Sequence, residues 1–172
     1  GHADSKALAT AWPYLSNDDY YLRYAARIAI EWQDATTWAD KAYNEPNDIA
    51  AIHALLGLAR RDLKDSLAPA IKRLNKVNFK ALDKTGKLAL LRTYALTMSR
   101  GGMPHATLKK AIGDHLDPHF PSKDDNINEE LCRVLSHLEH PSVVTKTIAL
   151  MKITESKKSE YDAEIMKRNS RY

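Results

Sequence analysis

Apolar residues recur along most of this chain at the three- and four-residue intervals of an α-helix. Ala7, Leu8, Ala11, Trp12 and Leu15 predict a first helix from Ser5 to about Leu15, which Pro13 kinks or restarts because it has no amide hydrogen to donate. Asn17-Asp18 is expected to cap a second helix reaching about Gln33, with Leu22, Ala25, Ala26, Ala29 and Ile30 as its buried stripe. Thr36 or Thr37 opens a short third helix through Ala42, and Asn47 caps a fourth. That fourth helix turns Ile49, Ile52, Leu55, Leu56 and Ala59 inward and ends near Arg60-Arg61. A fifth runs from Ser66 to Leu74. Asp83 or Thr85 begins a long sixth carrying Leu88, Leu91, Tyr94, Ala95 and Met98, which Gly101-Gly102 stops. A seventh covers about Ala106 to His115, and an eighth, about Asn128 to Glu139, buries Leu131, Val134, Leu135 and Leu138. Pro141 suits the first turn of a ninth that reaches about Lys152, and a last, polar helix is expected over Ser159 to Lys167. The stretch Asp117 to Asp125, with two prolines, is the longest irregular segment.

The helices come in a rhythm. Asp-rich turns lead into them at Asn17-Asp18-Asp19, Glu45-Pro46-Asn47-Asp48 and Asp124-Asp125-Asn126. A spacing of roughly 35–45 residues per helix pair is the mark of an α-solenoid, in which each unit buries its apolar face against its neighbours. The expected fold is therefore all-α, about five antiparallel hairpins stacked over roughly 40–50 Å, since packed helix axes lie about 8–10 Å apart.

Composition narrows this only slightly. With 172 residues, 44% of them hydrophobic, the whole chain is read as a single domain with a core. The longest apolar runs, such as Ile148-Ala149-Leu150-Met151, fall far short of the ~20 residues of a membrane span. The net charge of +4 is spread along the chain rather than gathered into the patch of a dedicated nucleic-acid binder. Gly1-His2 is read as a tag-cleavage remnant ahead of a segment from a longer protein. One cysteine, Cys132, provides neither an intrachain disulfide nor a multi-thiolate metal site.

The candidate chemistry is sparse. His115 and His119, with Asp114, have the spacing of a two-histidine metal site, but Pro118 interrupts the helix that would align them. His137 and His140 are read as favourable charges at a helix C-terminus. Cys132 is expected in an apolar helix face as a small hydrophobe. The carboxylate pairs Asp18-Asp19 and Asp124-Asp125 are read as helix caps rather than acid–base pairs. No catalytic residue, metal or cofactor is assigned. Tyr20, Tyr21 and Tyr24 are the candidate partner-binding residues, because aromatic side chains dominate interface hot spots. Lys64, Lys72, Arg73, Lys76 and Lys80, with Arg60 and Arg61 just upstream, form the densest basic stretch, and Lys72, Arg73, Lys76 and Lys80 are the candidate anion or nucleic-acid residues. Trp12, Trp32 and Trp38 are read as packing between hairpins, and Asp18, Arg23 and Asn47 as structural residues of the repeat.

Asp18 and Arg23, and more loosely Asp125 with Arg133, resemble the HEAT-like repeat, whose second helix opens on an Asp-rich turn and carries an Arg that ties one turn to the next. A narrower resemblance covers nearly the whole chain. Ala11-Trp12-Pro13-Tyr14-Leu15, Leu22-Arg23-Tyr24-Ala25-Ala26-Arg27, Asn128-Glu129-Glu130-Leu131-Cys132 and Lys146-Thr147-Ile148-Ala149-Leu150-Met151 are similar to a HEAT-repeat segment of large exported bacterial proteins. In those proteins the segment often adjoins a c-type cytochrome or haem-binding module. The resemblance implies a periplasmic or otherwise exported, monomeric scaffold that binds a protein or neighbouring domains of its own chain. This chain has no Cys-x-x-Cys-His, so it implies no haem here. The reading from a different class is a nucleic-acid-binding repeat protein of the DNA-repair glycosylase kind.

Overall fold

A computed structural model of the protein describes residue 4, residues 6–61, residues 65–153 and residue 167. The described residues are helical with no strand among them, so the protein is all-α. The helix expected over Ser159–Lys167 lies outside the described residues, Lys167 excepted. The chain divides into two compact units, one ending at His115 and one beginning at Leu116.

The first unit holds α1 (Ala7–Ala11), α2 (Tyr20–Glu31), α3 (Ala39–Tyr43), α4 (Asp48–Arg60), α5 (Leu67–Leu74), α6 (Lys84–Gly101) and most of α7 (Ala106–Leu116). Helix α1 packs on α2, α3 on α4 and α5 on α6, while α4 lies between α2 and α6. Leu15, Ile30, Trp38, Leu55, Ile71 and Leu91 are among the side chains sealed in its core. Trp12 and Trp38 meet edge to face at 6.3 Å, and the Trp12 Nε1–H donates to Glu45 Oε2 at 2.7 Å. Packing therefore accounts for two of the three tryptophans. Trp32 is the exception, 52% exposed.

The starts of α2, α4 and α6 are fixed by side-chain oxygens that accept otherwise orphaned amide hydrogens. Asp19 accepts from Tyr21 N and Leu22 N, Asn47 from Ala50 N and Asp83 from Gly86 N. At α2 the cap is thus the third residue of Asn17-Asp18-Asp19, not the first two. Helix α6 ends where Gly102 adopts φ +85°, the left-handed region that a β-carbon disfavours. The expected first helix is broken after Ala11: Trp12–Ser16 winds as a tighter 3₁₀ turn with Pro13 in its first turn. The expected third helix likewise begins as a 3₁₀ turn, Ala35–Thr37, with Asp34 as its cap.

The buried stripe of α2 differs from expectation. Leu22 and Ala25 are exposed, whereas Ala26, Ile30 and Glu31 are buried and Arg23 and Arg27 are half-buried. The reason is that part of the α2–α4 contact is ionic. Glu31 accepts from Arg27 within its own helix and from Arg60 Nε on α4 at 3.0 Å. Gly57 makes room for this pairing, since a β-carbon there would lie 3.3 Å from Glu31 Cγ.

The second unit holds a 3₁₀ turn (Asp117–His119), α8 (Asp125–His137) and a helical stretch over 143–153. Asp124 caps α8 through Asn126 N and Ile127 N, and Ile127, Leu131, Val134 and Leu135 are its buried face.

Candidate functional site

Helices α2, α4 and α6 lie side by side, and a groove of about 430 Å³ runs over the face they share. Its walls combine arginines with aromatic and aliphatic side chains: Arg23, Arg27, Tyr20 and Tyr24 from α2, Arg60 and Leu56 from α4, and Arg92 and Leu88 from α6. His53 lies between the two outer helices. Arg23, His53 and Thr85 also line a second cavity of about 410 Å³ at the helix starts, beside Asp18, Asp48 and Asp83. At the helix ends, Arg60 and Leu96 continue into a third of about 380 Å³, with Trp32, Arg61 and Arg100.

Each cation in the groove is held differently. Arg23 reaches back so that Nη1–H donates to the carbonyls of Asn17 and Asp18, the latter at 2.9 Å, while its Nε is buried with no hydrogen-bond partner. The tie between turn and helix runs through main-chain oxygens rather than the Asp18 carboxylate. Arg27 is paired with Glu31 and lies 5.1 Å from the centre of the Tyr24 ring. Arg60 shares Glu31. Arg92 is exposed and has no partner among the described residues. His53 is half-buried and its Nδ1 is likewise without a hydrogen bond. Burial, reinforced by the charges of Arg23 and Arg27, lowers its pKa from 6.5 to about 4. The ring is therefore neutral at pH 7.

Arg23→Ala is expected to lower the unfolding free energy by about 1–3 kcal/mol, because two turn carbonyls lose a charged donor. Urea denaturation checks this, and an unchanged midpoint would show that Arg23 does not hold the turn.

Of the residues singled out in the sequence, Tyr20 and Tyr24 line the groove, their rings stacked 6.4 Å apart. Tyr21, 77% exposed and edge-on to Tyr20, does not. None of the three packs into the core. The basic stretch does not act as one patch. Lys72, Lys76 and Lys80 are exposed and line none of these cavities. Arg73 is buried, its Nε–H donating to the Glu45 carbonyl at 2.7 Å and its Nη2 to Asp48 at 2.9 Å. It is a tether inside the fold, not an anion contact on the surface.

The remaining chemistry resolves into structure. His115 stands between Tyr94 Oη and the Val77 carbonyl, at 2.9 Å from each. Burial holds its pKa down, which favours a neutral ring donating from Nε2 to Val77. No group of three or more His, Cys, Asp or Glu able to hold a metal occurs among the described residues. Cys132 is partly exposed and faces hydroxyls, with Thr147 Oγ1 at 3.4 Å, rather than the purely apolar surroundings expected. His137 is the last residue of α8, and His140 closes that helix end, its backbone N–H donating to the Leu135 carbonyl at 2.9 Å and its Nδ1 lying 3.0 Å from Ser142 Oγ. Ser142 in turn donates to Asp117, which also accepts from Lys146 Nζ at 2.8 Å. This Ser–His–Asp grouping has the wrong order for nucleophilic catalysis, because the carboxylate takes the serine proton directly instead of orienting the imidazole.

Arg27, Arg92 and His53 carry no role in the sequence reading, and Arg60 enters it only as the end of the fourth helix and a neighbour of the basic stretch. Their signal is the nearly equal interval at which Arg27, Arg60 and Arg92 recur, which brings one arginine from each of three successive long helices to the same face. No family model, curated protein or solved structure matches the chain.

Proposed function

We propose that this chain is a non-catalytic helical-repeat scaffold, a HEAT-like segment of an exported multidomain protein, whose α2–α4–α6 face holds a segment of a partner protein or of a neighbouring domain. The observation that carries this reading is the groove itself. It combines Tyr20 and Tyr24 at one wall, aliphatic Leu56 and Leu88, and fixed cations, the mixture typical of protein-binding hot spots. The pairing of α1 with α2, α3 with α4 and α5 with α6 supports a stack of hairpins in the first unit. The exported setting rests on the resemblance of the quoted motifs.

The nucleic-acid reading draws on the same arginines. Against it, Glu31 pairs with two of them and cancels one of their charges, and the exposed lysines Lys72, Lys76 and Lys80 lie outside the groove. Selection from a displayed random-peptide library, followed by titration of the enriched peptides and of a DNA duplex over a range of salt, separates the two. Enriched peptides are expected to lose at least about tenfold in affinity with the Tyr20→Ala/Tyr24→Ala protein, as removal of an aromatic hot spot does. A duplex that binds with a steep inverse salt dependence, in the absence of groove-directed peptides, would replace this reading with the nucleic-acid one.

A further inference from the structure

Resting on the reading of the groove as a protein-binding face, we infer that its occupant is an acidic segment and that one carboxylate of that segment is received at the waist of the groove by Arg23, His53 and Arg92. The waist is where the groove and the cavity at the helix starts share Arg23, His53 and Thr85. Arg23 and His53 line both cavities there, and Arg92 lines the groove alone. Arg23 Nε and His53 Nδ1 are buried polar atoms without a hydrogen bond, and such atoms in native proteins call for a partner. Arg92 brings an exposed guanidinium with no acid to neutralise it among the described residues. Among the described residues no carboxylate lines the groove itself: Glu31 is shared by Arg27 and Arg60, and neither Arg23 nor Arg92 has a carboxylate partner. Asp18, Asp48 and Asp83, by contrast, line the adjoining cavity at the helix starts. A carboxylate matches this set: it accepts from a guanidinium in a planar fork and has lone pairs left for an imidazole N–H.

A peptide carboxylate fits better than the phosphates of a duplex. The space is that of a few side chains, about 430 Å³. Proton linkage sharpens the inference. The charged groups that line the two cavities His53 shares are Arg23, Arg27 and Asp18 from the α2 side, Asp48 and Arg60 from α4, and Asp83 and Arg92 from α6. The two arginines of α2 now oppose protonation of its ring, and a bound carboxylate would offset them. Affinity should therefore rise as pH falls from about 7 to about 5, a range in which the carboxylates of the peptide stay ionised.

The test is titration of the whole chain with hexaglutamate, hexaglutamine and inorganic phosphate, followed by calorimetry and by NMR of the His53 ring. Hexaglutamate is expected to bind and to raise the His53 pKa by about one unit or more, and hexaglutamine to do neither. Arg92→Gln should weaken hexaglutamate about fivefold or more, while Lys76→Gln, which removes the same charge from an exposed site outside the groove, should leave it unchanged. His53→Gln should abolish the gain at acid pH. Equal losses from Arg92→Gln and Lys76→Gln would reduce the effect to general attraction and overturn the inference. Equal binding of the two peptides would overturn it while leaving a protein-binding groove intact. Phosphate matching hexaglutamate would make this a free-anion site. Duplex binding without binding of either peptide would remove both the inference and the function on which it rests.

Discussion

Arg73→Met is expected to lower the stability of the protein by about 3 kcal/mol, the scale of breaking a buried ion pair from one side. The side chain is 7% exposed and lies between α5 and the turn that opens α4. Its guanidinium satisfies the carbonyls of Glu45 and Pro46 and the Asp48 carboxylate, whose other oxygen accepts from Asn78 N at 3.1 Å. Methionine keeps most of the volume and removes every donor, leaving two carbonyls and a carboxylate that has lost its cation. Urea unfolding of Arg73→Met, Asp48→Asn and the double variant gives the coupling between the pair. A coupling of 1–2 kcal/mol is expected for side chains in contact. A loss below about 1 kcal/mol in Arg73→Met would mean that desolvation of the guanidinium already offsets its bonds.

The same residue shows where sequence reading stops. Arg73 sits among Lys72, Lys76 and Lys80 and was grouped with them, because a linear run of cations carries no record of which one turns inward. Helix α4 was legible almost in full: Asn47 caps it and Ile52, Leu55, Leu56 and Ala59 are buried, since it lies between α2 and α6. Helix α2 was legible in extent but not in orientation. Its contact with α4 is built from Arg27, Glu31 and Arg60, which a hydrophobic period scores as solvent-facing. The groove escaped notice for a related reason. Its chemistry comes from single residues on three helices, and only packing brings Arg23, His53 and Arg92 to one place. Tyr20 and Tyr24 were identifiable because exposed aromatics at a helix start are uncommon enough to register one at a time.

The second large effect concerns acid. Between about pH 6.5 and pH 4, His53 is expected to remove roughly 2–3 kcal/mol of stability. The folded pKa lies below the unfolded one, so in this window the unfolded chain binds more protons than the native state. The contribution is complete above about pH 6.5 and is lost as pH falls toward about 4. His115, also lowered, adds loss of the same sign. Asp34 and Asp117 are lowered too, and as carboxylates they lose their contribution only in more acidic solution. Unfolding free energies measured at half-unit steps of pH for the native chain and for His53→Gln isolate the term, because glutamine occupies similar space and does not titrate. Parallel curves would show that the His53 ring protonates freely in the folded protein.

The three long helices that form the groove all start at the same end. Asp18, Asp48 and Asp83 stand at that end, and Arg60, Arg61 and Arg100 at the other. The surface therefore has a sense of direction, as an arrow does. A partner strand of fixed composition meets different chemistry head first and tail first, and the order of its charges, not their sum, decides which way round it lies.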